Sequence, residues 1–127
     1  MEATILPRST APYLQALFRI MIGLLFLQHG LSKLVGFPPM DLSMMPAGLK
    51  IAAGLIETIG GVLLVVGFAT RPVAFVMSGF GAAAYFMAHF PRGFFPALNG
   101  GDAAILFCFA CLYLAAAGAG AWAFDKS

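Results

Sequence analysis

The chain has 127 residues, of which 61% are hydrophobic and 9% are charged, whereas roughly a quarter of the residues of an average soluble domain are charged. A chain this short has too little interior to hide so much apolar surface, so its composition excludes an ordinary soluble domain. The net charge of +2 is too small to indicate nucleic-acid binding. We therefore predict an all-α integral membrane four-helix bundle, one transmembrane domain over residues 1–127, because each span needs about 20 residues.

The first predicted span covers residues 13–34. The segment before it contains Glu2, two prolines and only a short apolar run, so we expect no cleaved signal peptide. Arg19 lies about two turns inside this span. The far end of the span carries His29 and Lys33.

The second and third predicted spans cover residues 49–69 and 73–90. Arg71 lies in the short turn between them, and His89 closes the third span. Glu57 lies about two turns inside the second span, roughly 10 Å along the helix from the interface at about 1.5 Å per residue. An ionised group at such depth is costly unless it is paired or hydrated.

The fourth predicted span covers residues 103–124 and contains no charged residue. Asp102 precedes it at the expected N-cap, a favourable position for a carboxylate. Cys108 and Cys111 form a CxxC inside the span. A CxxC dithiol is activated by a helix N-terminus or a cation, but hydrocarbon neighbours here favour two buried thiols, with a redox dithiol as the weaker alternative.

Small residues at a spacing of four, which let helices approach closely in lipid, occur at Gly79 and Ala83 and at Ala115 and Ala119. They indicate helix packing in the third and fourth spans.

Spans joined by short connections alternate in direction. The connections after spans one and three therefore lie on one side of the membrane, the loop side, and both termini lie on the other, the terminal side. Candidate binding residues collect on the loop side: His29, Lys33, Glu57, His89 and Asp102. Polar residues expected to be structural collect on the terminal side: Arg19, Arg71 and Asp125.

Glu57 is the best functional candidate, because intramembrane carboxylates usually face the bundle interior and pair there. His29 and Lys33 are i and i+4 neighbours on one helix face, and either could be its partner. Two interpretations remain open: a structural clamp between helices, and a binding or proton-handling site.

His29 and His89 also raise the idea of two axial haem ligands, but no other feature supports it, so haem is disfavoured. Leu112 follows the CxxC where attachment of a c-type haem needs histidine. We expect no metal site. No nucleophile elbow, phosphate loop, metalloprotease signature or nucleotide fingerprint is present.

Several segments together resemble the DoxX family: Leu17–Arg19 with Gly23 and His29–Lys33, Glu57–Gly61 with Gly67–Arg71, His89 with Gly93–Phe94 and Asn99–Asp102, and Gly118–Asp125. The chain departs from the family pattern at Asp102, where glutamate is frequent, and at Ala123, where serine is common. The resemblance implies a four-helix, multi-pass protein of the bacterial inner (plasma) membrane. The family is named for a subunit of a thiosulfate:quinone oxidoreductase.

From these features we expect a membrane accessory subunit of a quinone-linked redox system, with quinone as the candidate cofactor in a loop-side polar pocket. His29 or Lys33 would hydrogen-bond a quinone oxygen, and Glu57 would relay a proton. The alternative is a non-enzymatic assembly or scaffold factor that docks a partner protein. The expected partners are membrane lipid, a membrane or redox protein and a second copy of the chain, and we expect no binding to nucleic acid. The sequence leaves open whether the chain itself is an enzyme.

Basic residues are slightly more numerous on the terminal side. Four lie there and three lie on the loop side: Arg8, Arg19, Arg71 and Lys126, against Lys33, Lys50 and Arg92. The positive-inside rule then places both termini in the cytoplasm.

Overall fold

The computed structural model describes residues 3–126, which are helical and contain no strand. Five α-helices follow in chain order: α1 Ala11–Val35, α2 Ala47–Val66, α3 Thr70–Ala84, the one-turn α4 Pro96–Asn99, and α5 Asp102–Ala117. The predicted all-α membrane fold is thereby confirmed. Met1 and Ser127, the ends of the predicted domain, lie outside the described residues, as does Glu2 of the signal-peptide interpretation.

Within residues 3–126, three helical stretches are long and apolar enough to cross a membrane: Arg8–Val35, Ala47–Val66 and Thr70–Arg92. The fourth, α5, is apolar but has 16 residues, so it rises only about 24 Å against a hydrocarbon thickness of about 30 Å. The predicted span continued to residue 124, whereas the helix ends at Ala117.

Backbone conformation explains why α5 ends early. Gly118 and Gly120 have φ of 89° and 74°, and Trp122 has φ of 52°. Positive φ interrupts a right-handed helix and is easily adopted by glycine. In this C-terminal segment, residues 118–125, the carbonyls of Ala119 and Trp122 accept hydrogen bonds from Arg19 of α1 instead.

The bundle consists of two antiparallel hairpins, α1 with α2 and α3 with α5. Glycines seven residues apart on both helices of the first hairpin (23 to 30, and 54 to 61) let the backbones meet. A Cβ added at Gly23 would lie 2.7 Å from the Gly61 carbonyl oxygen, and one at Gly30 would lie 2.9 Å from that of Gly54. We call these four residues the glycine seam.

A small apolar core lies where the hairpins meet, formed by Ile22, Phe26, Leu64, Ala74, Met77, Cys111 and Leu114. Many large apolar side chains on the outer faces of the helices are exposed, among them Leu17, Ile59, Phe75, Leu106 and Phe109. Such a surface is stable only in lipid. The chain is therefore a multi-pass membrane protein whose outer faces contact lipid.

The loop-side end of α3 changes helix type. One π-helical turn, Tyr85–His89, follows α3 and leads into a short 3-10 turn, Phe90–Arg92. A π turn widens the helix by one residue and is frequently found at functional sites. Here it positions His89 above the bundle interior.

Candidate functional site

A cavity of about 380 Å³ lies among α1, α2, α3 and α5 on the loop side; we call it the loop-side cavity. Its walls are largely aromatic and aliphatic, with Phe26, Phe80 and Phe107 deep in the bundle and methionines from the α1–α2 loop. Only four polar side chains line it within the described residues: His29, Lys33, Glu57 and His89. The structure therefore brings together four of the five predicted binding residues.

Lys33 and Glu57 form an ion pair across the first hairpin. Lys33 Nζ lies 2.6 Å from Glu57 Oε1, and the two side chains are 9% and 7% exposed. The glycine seam brings α1 and α2 close together beside this contact, since a Cβ added at Gly54 would lie 3.0 Å from the Cβ of Lys33. A buried charge is costly alone but tolerable when paired, which explains how Glu57 can lie inside the bundle.

His29 is anchored to its own helix. Its Nδ1 lies 2.8 Å from the carbonyl oxygen of Leu25. A carbonyl oxygen only accepts, so Nδ1 carries the hydrogen and donates it. The imidazole packs edge-on against Phe107, with ring centroids 6.2 Å apart. The ring is thereby fixed in the cavity wall.

His89 is held from the opposite side by the loop before α5. Its Nδ1 lies 3.2 Å from the Asn99 carbonyl oxygen, and its ring stacks on Tyr85 with an interplanar angle of 27°. As with His29, the bond to a carbonyl requires the hydrogen on Nδ1.

Asn99 is the buried centre of this loop, at 2% exposure. Its Nδ2 donates to Tyr85 Oη and to the Gly93 carbonyl, at 3.0 and 2.9 Å, and its Oδ1 accepts from the Gly101 N–H at 2.8 Å. Neither Asn99 nor Tyr85 was among the site residues predicted from the sequence. The sequence feature that could have indicated Asn99 is an amide side chain followed by two glycines in a mostly apolar loop.

Asp102 does not belong to the cavity, which corrects its predicted place in the pocket. It is the exposed first residue of α5, and Gly101 occupies the N-cap instead. The cavity-lining face of α5 carries Ala103, Ala104 and Phe107. Because successive helical residues are about 100° apart, the Asp102 side chain falls beside this face.

Arg19 organises the terminal side of the bundle. It is fully buried, and its guanidinium donates to four carbonyl oxygens. Nε bonds Leu64 at 2.9 Å, Nη1 bonds Ala119 and also Ala121 at 3.0 Å, and Nη2 bonds Trp122 at 2.7 Å. Arg19 thus fastens the C-terminal segment to α1 and α2, and it lies outside the loop-side cavity.

Arg71 and Asp125 add contacts between the start of α3 and the C-terminal part of the chain. Arg71 Nη1 donates to the Ala116 carbonyl at 2.7 Å. Asp125 accepts from the backbone N–H groups of Ala69 and Thr70 at 2.8 and 2.7 Å. Partial burial raises the pKa of the Asp125 carboxyl, but the hydrogen bonds from Thr70 and Ala69 and the charge of Arg19 together hold this pKa below its usual value.

Cys108 and Cys111 are both free thiols. Cys111 is fully buried in the apolar core. Cys108 Sγ lies 3.5 Å from Ser78 Oγ, which donates to the Cys108 carbonyl at 2.8 Å. Cys108 is only partly buried. Neither cysteine lines the loop-side cavity, and the apolar surroundings of Cys111 favour its interpretation as a buried small side chain.

Potential metal ligands do not cluster within residues 3–126, where no group of three or more His, Cys, Asp or Glu side chains could hold an ion. The two histidines line the cavity, but the structure gives them no third ligand of this kind.

Comparison with known proteins identifies related sequences. The DoxX family model matches residues 14–90, a range that includes all four polar residues of the cavity. An uncharacterised protein of Haemophilus influenzae (strain ATCC 51907 / DSM 11121 / KW20 / Rd) is 39% identical over 124 residues, covering 91% of this chain and 90% of the relative. No solved structure gives a significant match.

Proposed function

Because the chain belongs to the DoxX family, we propose that it is an accessory membrane subunit of a quinone-linked redox system whose loop-side cavity binds the quinone headgroup. One observation carries this proposal. Four titratable side chains from three helical segments line a single, otherwise apolar cavity inside one leaflet of a membrane protein. Intramembrane ionisable groups in such a place usually serve binding or proton transfer.

The cavity fits an aromatic ring in size and lining. Its volume of about 380 Å³ falls in the range of small-molecule sites, roughly 300–1,000 Å³. Phe26 and Phe107 pack together with ring centroids 4.5 Å apart, and Phe80 adds a further ring to the lining. Aromatic walls favour a flat, apolar ligand, and the few polar groups provide its orientation.

A bound quinone would supply a two-electron, two-proton couple. Lys33 is the one cavity side chain that always has N–H groups to donate, so it is the candidate donor to a quinone oxygen. Glu57, paired with Lys33, would accept or release one of the two protons of this couple, and the other would exchange with solvent. The electrons would come from a partner redox protein.

Direct binding tests this function. A short-tailed quinone is titrated by calorimetry into the purified protein in lipid nanodiscs. We expect saturable binding that weakens by about tenfold or more in Glu57→Gln, because loss of the anion releases Lys33 and alters the polar wall. Asp102→Asn is the matched control, since it removes a carboxylate on the same side outside the cavity, and it should bind like the wild type. Absence of wild-type binding of the ligand in both its oxidised and its reduced form would overturn the proposal.

The scaffold alternative has its own supporting observation. The Lys33–Glu57 pair joins α1 to α2, which is also what a purely structural clamp would do. A scaffold should retain its membrane partner after cavity substitutions. Co-purification of a partner with both wild type and Glu57→Gln, together with no quinone binding, would favour this function.

A further inference from the structure

The two histidines present only hydrogen-bond acceptors to the loop-side cavity. Each uses Nδ1–H on a backbone carbonyl, Leu25 for His29 and Asn99 for His89. A neutral imidazole with hydrogen on Nδ1 has a bare lone pair on Nε2. Within residues 3–126 neither Nε2 has a hydrogen-bond partner, so it is the one polar atom that each ring can offer to an occupant.

One hydrogen bond and one ring contact hold the His89 imidazole. The Asn99 carbonyl that receives its hydrogen belongs to a residue whose amide is fully engaged with Tyr85, Gly93 and Gly101. The stacked Tyr85 ring limits rotation of the imidazole. A fixed carbonyl partner of this kind is how proteins set the tautomer of functional histidines.

The other polar side chains of the cavity also leave hydrogen-bond acceptors in excess of donors. Glu57 Oε1 is taken by Lys33, and Oε2 has no hydrogen-bond partner within the described residues and can only accept when ionised. Lys33 is the one donor among the polar side chains of the lining. The cavity therefore offers three acceptor positions, on His29, His89 and Glu57, against one donor that is already paired.

We propose that the loop-side cavity selects the reduced, hydroxyl-bearing quinol over the quinone. This inference rests on the proposed quinone function and names which form of the ligand the site holds more tightly. A quinone has only carbonyl acceptors and leaves the acceptors of the two histidines unmatched. A quinol carries two O–H donors, and the histidines lie on separate elements, α1 and the turn after α3, able to receive one each. Unmatched buried acceptors are costly.

Neutral His29 thus accepts a hydrogen bond from the ligand, whereas the sequence had suggested that it donates one to a quinone oxygen. The difference arises because α1 supplies the Leu25 carbonyl within reach of Nδ1.

The experiment compares three probes of nearly one shape in nanodiscs, anaerobically, at about pH 8, where histidine is normally neutral. They are a short-tailed quinol, its quinone, and the quinol dimethyl ether, which has no O–H. We expect the quinol to bind about tenfold tighter than either of the others, as one or two additional hydrogen bonds would give. Equal or tighter binding of the quinone overturns the selection, while leaving the proposed function intact. Failure of all three probes to bind overturns the proposed function, and the selection with it.

Variants assign the preference to the histidines. His29→Phe and His89→Phe keep an aromatic ring but remove Nε2, so each should lower the ratio of quinol affinity to quinone affinity several-fold, because the quinol loses a hydrogen bond and the quinone no longer leaves that acceptor unmatched. Retained quinone binding also shows that the variant is folded. His29→Gln, which restores a side-chain acceptor, should recover part of the preference. An unchanged quinol preference in both phenylalanine variants would contradict the assignment.

Discussion

Lys33 and Glu57 show how one contact determines the free-energy cost of burying a charged side chain. Glu57 on α2 would be an isolated anion in an apolar bundle if Lys33 on α1 were absent. The 2.6 Å contact pairs two charges that would each be costly to bury alone. Replacing both members of a buried ion pair with apolar side chains of similar size nevertheless often leaves the stability of the fold unchanged or raises it. The pair is therefore poorly explained by stability alone, which supports a role in binding or proton transfer.

A double-substitution series tests this energetic description. Lys33→Met leaves Glu57 buried and unpaired, so we expect a destabilisation of about 3–5 kcal/mol. Lys33→Met combined with Glu57→Met should recover most of that loss, because no charge remains buried. Thermal unfolding in detergent, followed by circular dichroism, provides the comparison. Asp102→Asn is the control at an exposed position in the first turn of α5 and should change stability by less than about 1 kcal/mol. A neutral effect of Lys33→Met alone would contradict the description.

At the scale of the helices, the glycine seam determines how α1 and α2 pack. Small residues at a spacing of four predicted helix packing in the third and fourth spans, but a Cβ added at Gly79 would meet nothing within 4 Å. The close backbone approach occurs at glycines seven residues apart in the first hairpin. A repeat of seven keeps the same side of both helices in contact along their length.

Adding one methyl group to the seam should separate its helices. In Gly61→Ala the new Cβ would lie 2.7 Å from the Gly23 carbonyl oxygen, and backbone cannot move aside as a side chain tip can. We expect destabilisation by about 1–3 kcal/mol, measured as a lowered unfolding temperature. Gly79→Ala is the matched control, because it makes the same change on an open helix face; it should be neutral or stabilising by up to about 1 kcal/mol. Equal effects of the two substitutions would argue against the seam.

At the scale of the whole molecule, the two ends of the bundle differ in how their polar side chains are engaged. The terminal side is closed by hydrogen bonds from Arg19 and Arg71 to carbonyls of the C-terminal part of the chain, and by Asp125 at the start of α3. The loop side retains the cavity, whose polar groups are only partly engaged with one another. Polar contacts therefore hold the terminal side together, whereas the polar groups of the loop side line a cavity.

The attachment at Asp125 predicts a pH dependence. Because the pKa of this carboxyl is lowered in the folded protein, its contribution to stability is present above the unfolded pKa, about 3.9, and is lost as pH falls through the folded value. Asp125→Asn should therefore unfold at a lower temperature than the wild type near pH 7, and the difference should shrink below about pH 4. Lys126→Gln, which changes the exposed neighbour, should give a pH profile parallel to that of the wild type. A difference for Asp125→Asn that is constant across this range would contradict the prediction.

Composition and hydropathy determined the membrane class, the helical fold, the approximate position of each long helix and the side to which each polar residue belongs. These properties depend on residues near one another in the sequence, and the family resemblance rests on the same short segments. Only the tertiary structure showed that Lys33 is the ion-pair partner of Glu57, that Asp102 lies outside the cavity, and that the chain leaves the helix after Ala117. Each of these depends on the rotation and separation of helices distant in sequence. A difference of about 100° per residue is enough to turn a side chain from the interior to the surface.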